Sequence, residues 1–124
     1  MTSRFIAVAI FAVLLATVPA FAQTAGEFYQ KGIYTQQTVG DVDAAIQIYR
    51  QVIASAGGQR ALAAQAQMQI VSALMQKGDL PRAKREFNRL LRMYADQKEV
   101  IASIQGRLEA SYTRRLADHT ELRK

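Results

Sequence analysis

Cysteine is absent from all 124 residues. Disulfides, a lipid-anchored N-terminal cysteine and c-type haem attachment are therefore excluded, and no thiol is available as a nucleophile. Histidine occurs once, as His119 in a charged stretch, and beside Asp118 it lacks the further ligands a metal site needs. No glycine-rich phosphate loop follows a strand. The acidic side chains are scattered, and Asp41 with Asp43 is better suited to helix capping than to acid–base work. No catalytic constellation emerges, so the expectation is a non-enzymatic chain without cofactor or metal.

Proline is nearly absent as well, with only Pro19 and Pro81. Pro19 closes an apolar run from Phe5 to Val18 that follows a single basic residue, Arg4. Ala20-Phe21-Ala22 comes next and supplies small residues at an A-x-A cleavage site. That order is the n-region, h-region and cut site of a secretory signal peptide. The run is shorter than the ~20 residues of a membrane-spanning helix. The expected division is a leader over 1–22, a helical domain over 23–117 and a charged tail over 118–124. The expected location is the periplasm, or the medium, after cleavage near Ala22.

Negative charge is also scarce, but only in one half. From Gln23 to Gln76 three cations face three anions, whereas Lys77 to Lys124 holds twelve cations and seven anions. The excess is confined to the second half.

The remainder reads as helix throughout, with segments expected near 25–37, 42–55, 60–77, 80–94 and 97–121. Two of the junctions resemble each other. GDVDAAIQIY opens at Gly40 and GDLPRAKREF at Gly78, 38 residues later. Each glycine can take the left-handed conformation that closes a helix, and each aspartate can cap the next one. Pro81 falls in a first turn, where its missing N–H costs little. After each junction the apolar residues recur with helical period: Val42, Ala45, Ile46, Tyr49, Val52 and Ile53, then Leu80, Ala83, Phe87, Leu90, Leu91 and Tyr94. Ala45 and Ala83 are small where helices must approach closely, and Tyr49 and Phe87 fill the wider space one turn on.

The spacing of Gly, Asp, Ala and aromatic resembles the second half of a tetratricopeptide repeat (TPR), over roughly 26–95. The family period is about 34 residues. The excess here fits the loop Ser55-Ala56-Gly57-Gly58-Gln59, with one further residue inserted between Gly32 and Gly40. The resemblance implies an all-α fold of two antiparallel hairpins and a long C-terminal capping helix. It also implies that the first helix of each pair lines a concave groove that binds a peptide or helix.

On those helices the polar stripes are Glu27, Gln30, Tyr34 and Gln37, then Gln65, Gln69, Ser72 and Gln76. Neutral amides predominate, so no clamp for a C-terminal carboxylate is expected. They suit an extended, weakly charged segment, the bland alternative being a solvated face. Met68 and Met75 border the second stripe. Arg82, Arg85, Arg89 and Arg92 form a separate basic stripe on the opposite face from Phe87 and Leu90. It could hold acidic lipid or polymer, but no aromatics interleave it to stack bases, so nucleic acid is not an expected partner.

The last segment carries a narrow seam of Ile101, Ile104, Leu108, Tyr112 and Leu116. Matched antiparallel to the helix before it, this segment would outrun its support near Ser111. Tyr112 and Leu116 are thus expected to meet a second copy or another protein. The functional expectation is an exported protein–protein adaptor or assembly factor, with a homodimer as one arrangement. The competing expectation is an anionic-surface binder using the basic stripe.

Overall fold

The computed structural model describes residues 24–123, and within them it is helical throughout. The expected leader and its cleavage site lie outside these residues. The helices are α1 (Ala25–Tyr34), α2 (Val42–Ser55), α3 (Arg60–Lys77), α4 (Leu80–Met93) and α5 (Lys98–Glu121). A π-helical turn, Thr35–Val39, extends α1.

Local chemistry sets these boundaries. Thr24 and Glu27 form a reciprocal capping box at the start of α1. Gly40 and Gly78 close their helices at φ 80° and 83°, where a Cβ would be strained. Asp41 accepts from the Ala44 N–H at 3.0 Å and Asp79 from the Arg82 N–H at 3.2 Å, as the repeated Gly-Asp pair leads one to expect. In the π turn between Gly32 and Gly40 the Gly40 N–H reaches back five residues to the Thr35 carbonyl at 2.9 Å.

Consecutive helices pack on one another, and α5 lies against both α3 and α4. Side-chain bonds fix their directions. Lys77 meets Asp43, Gln67 meets Glu86 and Arg60 meets Asp96, so α3 runs antiparallel to both α2 and α4. Tyr29 meets Gln69 and Gln36 meets Gln76, each pair 40 residues apart, so α1 and α3 run parallel. Met68 meets Ser103 and Ser72 meets Arg107, each 35 residues apart, so α3 and α5 are parallel too. Helices α1, α3 and α5 form one layer, with α2 and α4 behind it.

The core lies between these layers. Ala45, Tyr49, Val52, Ile70, Leu74, Ala83, Leu90 and Ile104 are fully buried. Each large side chain among them contributes on the order of 1.5–3 kcal/mol by leaving water. Tyr49 sits so close to α1 that a Cβ at Gly32 would stand 2.5 Å from its ring. Leu91 departs from the expected apolar face of α4 and is 40 % exposed. Its counterpart on α2, Ile53, is packed against the core, whereas Leu91 lacks such cover.

Buried polar groups tie the layers together. Gln67 is 1 % exposed, and its amide donates to the Glu86 carbonyl at 2.9 Å and to its carboxylate at 2.8 Å. Arg50 of α2 donates to the same carboxylate at 3.1 Å. Burial would raise the Glu86 pKa, but the bonds from Gln67 and Arg50 and the charges of Arg50 and Arg89 outweigh it, so the shift is downward. One carboxylate thereby joins α2, α3 and α4. At the N-terminal end of α3, Arg60 binds Asp96 at 2.7 Å, reaches the Met93 carbonyl and lies 5.2 Å from the centroid of the Tyr94 ring.

Candidate functional site

Helix α3 lies between α1 and α5 in the front layer, bonded to the first through Gln69 and Gln76 and to the second through Ser72. Hundred-degree steps along α3 explain the arrangement. Gln69 and Gln76 lean towards α1, Met68 and Met75 lean towards α5, and Gln65 and Ser72 lie between. Tyr34 is 59 % exposed, and Gln30 and Gln37 are also exposed.

The structure gives the polar side chains of the two stripes unequal roles. Gln65 is exposed on the outer face of α3. The Gln69 amide donates to the Tyr29 hydroxyl at 3.3 Å. Gln76 accepts from Gln36 at 3.2 Å, and Gln36 accepts from the buried Tyr49 hydroxyl at 2.7 Å. Burial pushes the Tyr49 phenol pKa up, so it stays protonated as a donor. Glu27 is committed to the α1 cap, accepting from the Thr24 N–H at 3.2 Å. Ser72 is buried and accepts from the Arg107 guanidinium at 3.1 Å. Gln69, Ser72 and Gln76 therefore stitch the front layer together.

The α5 residues beside α3 were not among the expected site residues. Ser103, Arg107, Ser111 and Arg114 recur at helical spacing along the side of α5 next to α3. Beyond Ser72, a cleft of about 210 Å³ is lined by Met75, Gly78, Leu80, Ser111, Arg114, Arg115 and Asp118. Arg115 donates to the Gly78 carbonyl at 2.8 Å. The i, i+4, i+8, i+11 recurrence was legible in the sequence, but only the parallel packing of α5 on α3 brings it beside the glutamine stripe.

The basic stripe lies on the outer side of α4. Arg82 is 3.7 Å from Asp79 and Arg89 is 3.9 Å from Glu86. Arg85 and Arg92 have no ion-pair partner among the described residues, and with Glu86, Asn88 and Arg89 they line a cleft of about 300 Å³. The two stripes are thus on separate surfaces.

Tyr112 and Leu116 part company. Tyr112 rests on its own chain, contrary to the length argument: its hydroxyl donates to the Leu80 carbonyl at 3.0 Å and Lys84 stands 5.9 Å from its ring centroid. The long ring leans back over the first turn of α4, which a count of residues along the helix axis does not capture. Leu116 remains 67 % exposed. Tyr112 also helps line a cleft of about 430 Å³ with Lys84, Phe87, Asn88, Leu108, Glu109 and Thr113.

Among the described residues, no group of three or more His, Cys, Asp or Glu side chains could hold a metal ion, and no helix is long and apolar enough to cross a membrane. Comparisons with protein-family models, curated proteins and solved structures return no match.

Proposed function

We propose that the chain is a TPR-like helical-repeat protein, exported to the periplasm, that binds a peptide or helix of a partner protein in the trough of α1, α3 and α5. It acts as a non-enzymatic adaptor or assembly factor. The observation that carries the reading is the parallel stacking of these three helices at offsets of 40 and 35 residues. Such stacking leaves one long face with a polar floor. The offsets bracket the 38 residues between the Gly-Asp junctions and lie near the family period.

Selection of peptides from an unbiased display library against the purified chain tests this. Gln65→Trp, which fills the exposed floor, should weaken the selected peptides at least about tenfold. Arg85→Trp, on the outer face, should leave them within about twofold. Peptides that ignore Gln65→Trp and respond to Arg85→Trp would move the binding site to α4.

That outcome is the second reading, an anionic-surface binder, favoured by Arg85 and Arg92, which have no ion-pair partner among the described residues. Binding through exposed arginines should collapse between low and moderate salt, because at 0.1 M attraction between solvated charges more than about 10 Å apart is largely screened.

A further inference from the structure

We propose that the occupant of the trough is an acidic segment of a partner, with its side-chain carboxylates held by Arg107 and Arg114 on the α5 wall. This rests on the trough reading and specifies what the trough selects. Taken alone, the glutamines of α1 and α3 suit a weakly charged segment. The third wall changes the electrostatics.

Arg107 and Arg114 are seven residues apart on one helix, so they rise about 10.5 Å along its axis and lie on nearly the same side. In a peptide in the polyproline-II conformation, with three residues per turn, residues three apart span about 9 Å and face the same side. A segment lying along α5 can therefore present two carboxylates in register with two guanidiniums. Arginine suits this role because its planar fork binds a carboxylate through two parallel N–H bonds. The Arg107 bond to Ser72 engages one terminal nitrogen and holds the guanidinium at the trough floor. Arg115, anchored on the Gly78 carbonyl, adds positive charge at the end of the furrow, where Asp118 is the one acid lining the cleft. Gln65 and Gln30 remain exposed across the trough to meet peptide-backbone groups of either polarity.

Three labelled dodecapeptides test the proposal by fluorescence anisotropy. One carries two glutamates three residues apart, one has the same composition with the glutamates adjacent, and one has glutamine in their place. Each is titrated against the purified chain, an Arg107→Gln/Arg114→Gln variant and an Arg85→Gln/Arg92→Gln variant, all first compared by thermal unfolding. Glutamine at 107 can still donate to Ser72. The spaced peptide should bind at least about tenfold tighter than the glutamine peptide and several-fold tighter than the adjacent one. The α5 variant should erase that preference, and the α4 variant should leave it within about twofold.

Equal losses from both variants would overturn the proposal in favour of unspecific charge attraction. A glutamine peptide that binds as tightly as the spaced one, and is weakened by Gln65→Trp, would overturn the acidic preference and leave the trough standing. If none of the three binds while library-selected peptides do occupy the trough, the acidic proposal alone fails. If neither kind binds, both readings fail.

Discussion

At the scale of single residues, the most constrained point is the contact between Gly32 and Tyr49. With 2.5 Å between a notional Cβ and the ring, Gly32→Ala must push α1 away from α2 or force the tyrosine off its rotamer. The expected cost is about 1–3 kcal/mol, which urea unfolding would detect as a lower midpoint at unchanged slope. Tyr49→Phe acts through the hydroxyl. It leaves Gln36, only 4 % exposed, without its donor and should cost about 1–3 kcal/mol. Adding Gln36→Leu to Tyr49→Phe should cost less than the two single changes combined, because removing both partners spares the orphaned acceptor. A purely additive double variant would show that the bond is not what holds the π turn to α2.

At the scale of elements, the back layer is tied to α3 through carboxylates whose pKa values are lowered on folding. Glu86 is shifted downward, and the Arg60 bond holds Asp96 at about 2. A carboxylate with a depressed folded pKa stabilises the fold above its unfolded pKa and loses that contribution as pH falls through the folded value. For Asp96 the window runs from just below 4 down to about 2. Thermal unfolding should therefore show a falling midpoint across this acidic range. Glu86→Gln should flatten the part of that fall due to Glu86 and lower the midpoint at neutral pH, since Arg50 loses its ionic partner. An unchanged pH profile in Glu86→Gln would show that the α2–α3–α4 junction is held by packing alone.

At the scale of the whole molecule, the open question is what covers Leu116 and the cleft beside Phe87, Leu108 and Tyr112. Two copies related by a twofold axis could each place Leu116 in the other's cleft, since such an interface is self-complementary. Light scattering across concentration checks this: Leu116→Ser should shift a dimer towards monomer, while Tyr112→Phe should alter stability more than mass. A monomer at every concentration would retire the self-contact and leave the trough as the principal interaction surface. The charge asymmetry also belongs to this scale. The basic half of the chain supplies both the outer face of α4 and the α5 side of the proposed groove, so loss of net charge alone does not tell the two surfaces apart; paired variants on each face do.

Local chemistry in the sequence determined where helices begin and end. Glycine in the left-handed region, aspartate at a helix start and apolar residues every three to four positions act within a few residues, so their meaning does not depend on distant packing. That is why the Gly40-Asp41 and Gly78-Asp79 junctions and the small Ala45 and Ala83 were legible. Which polar stripes meet depends on the relative placement of whole helices, and only the tertiary structure decided it. Arg107 faces Ser72, Gln36 turns inward to Tyr49, and Glu86 bridges three helices, although in the sequence all three look like ordinary residues of a solvated face. Burial and pairing change what a charged or amide side chain can do, and both are properties of the packed molecule.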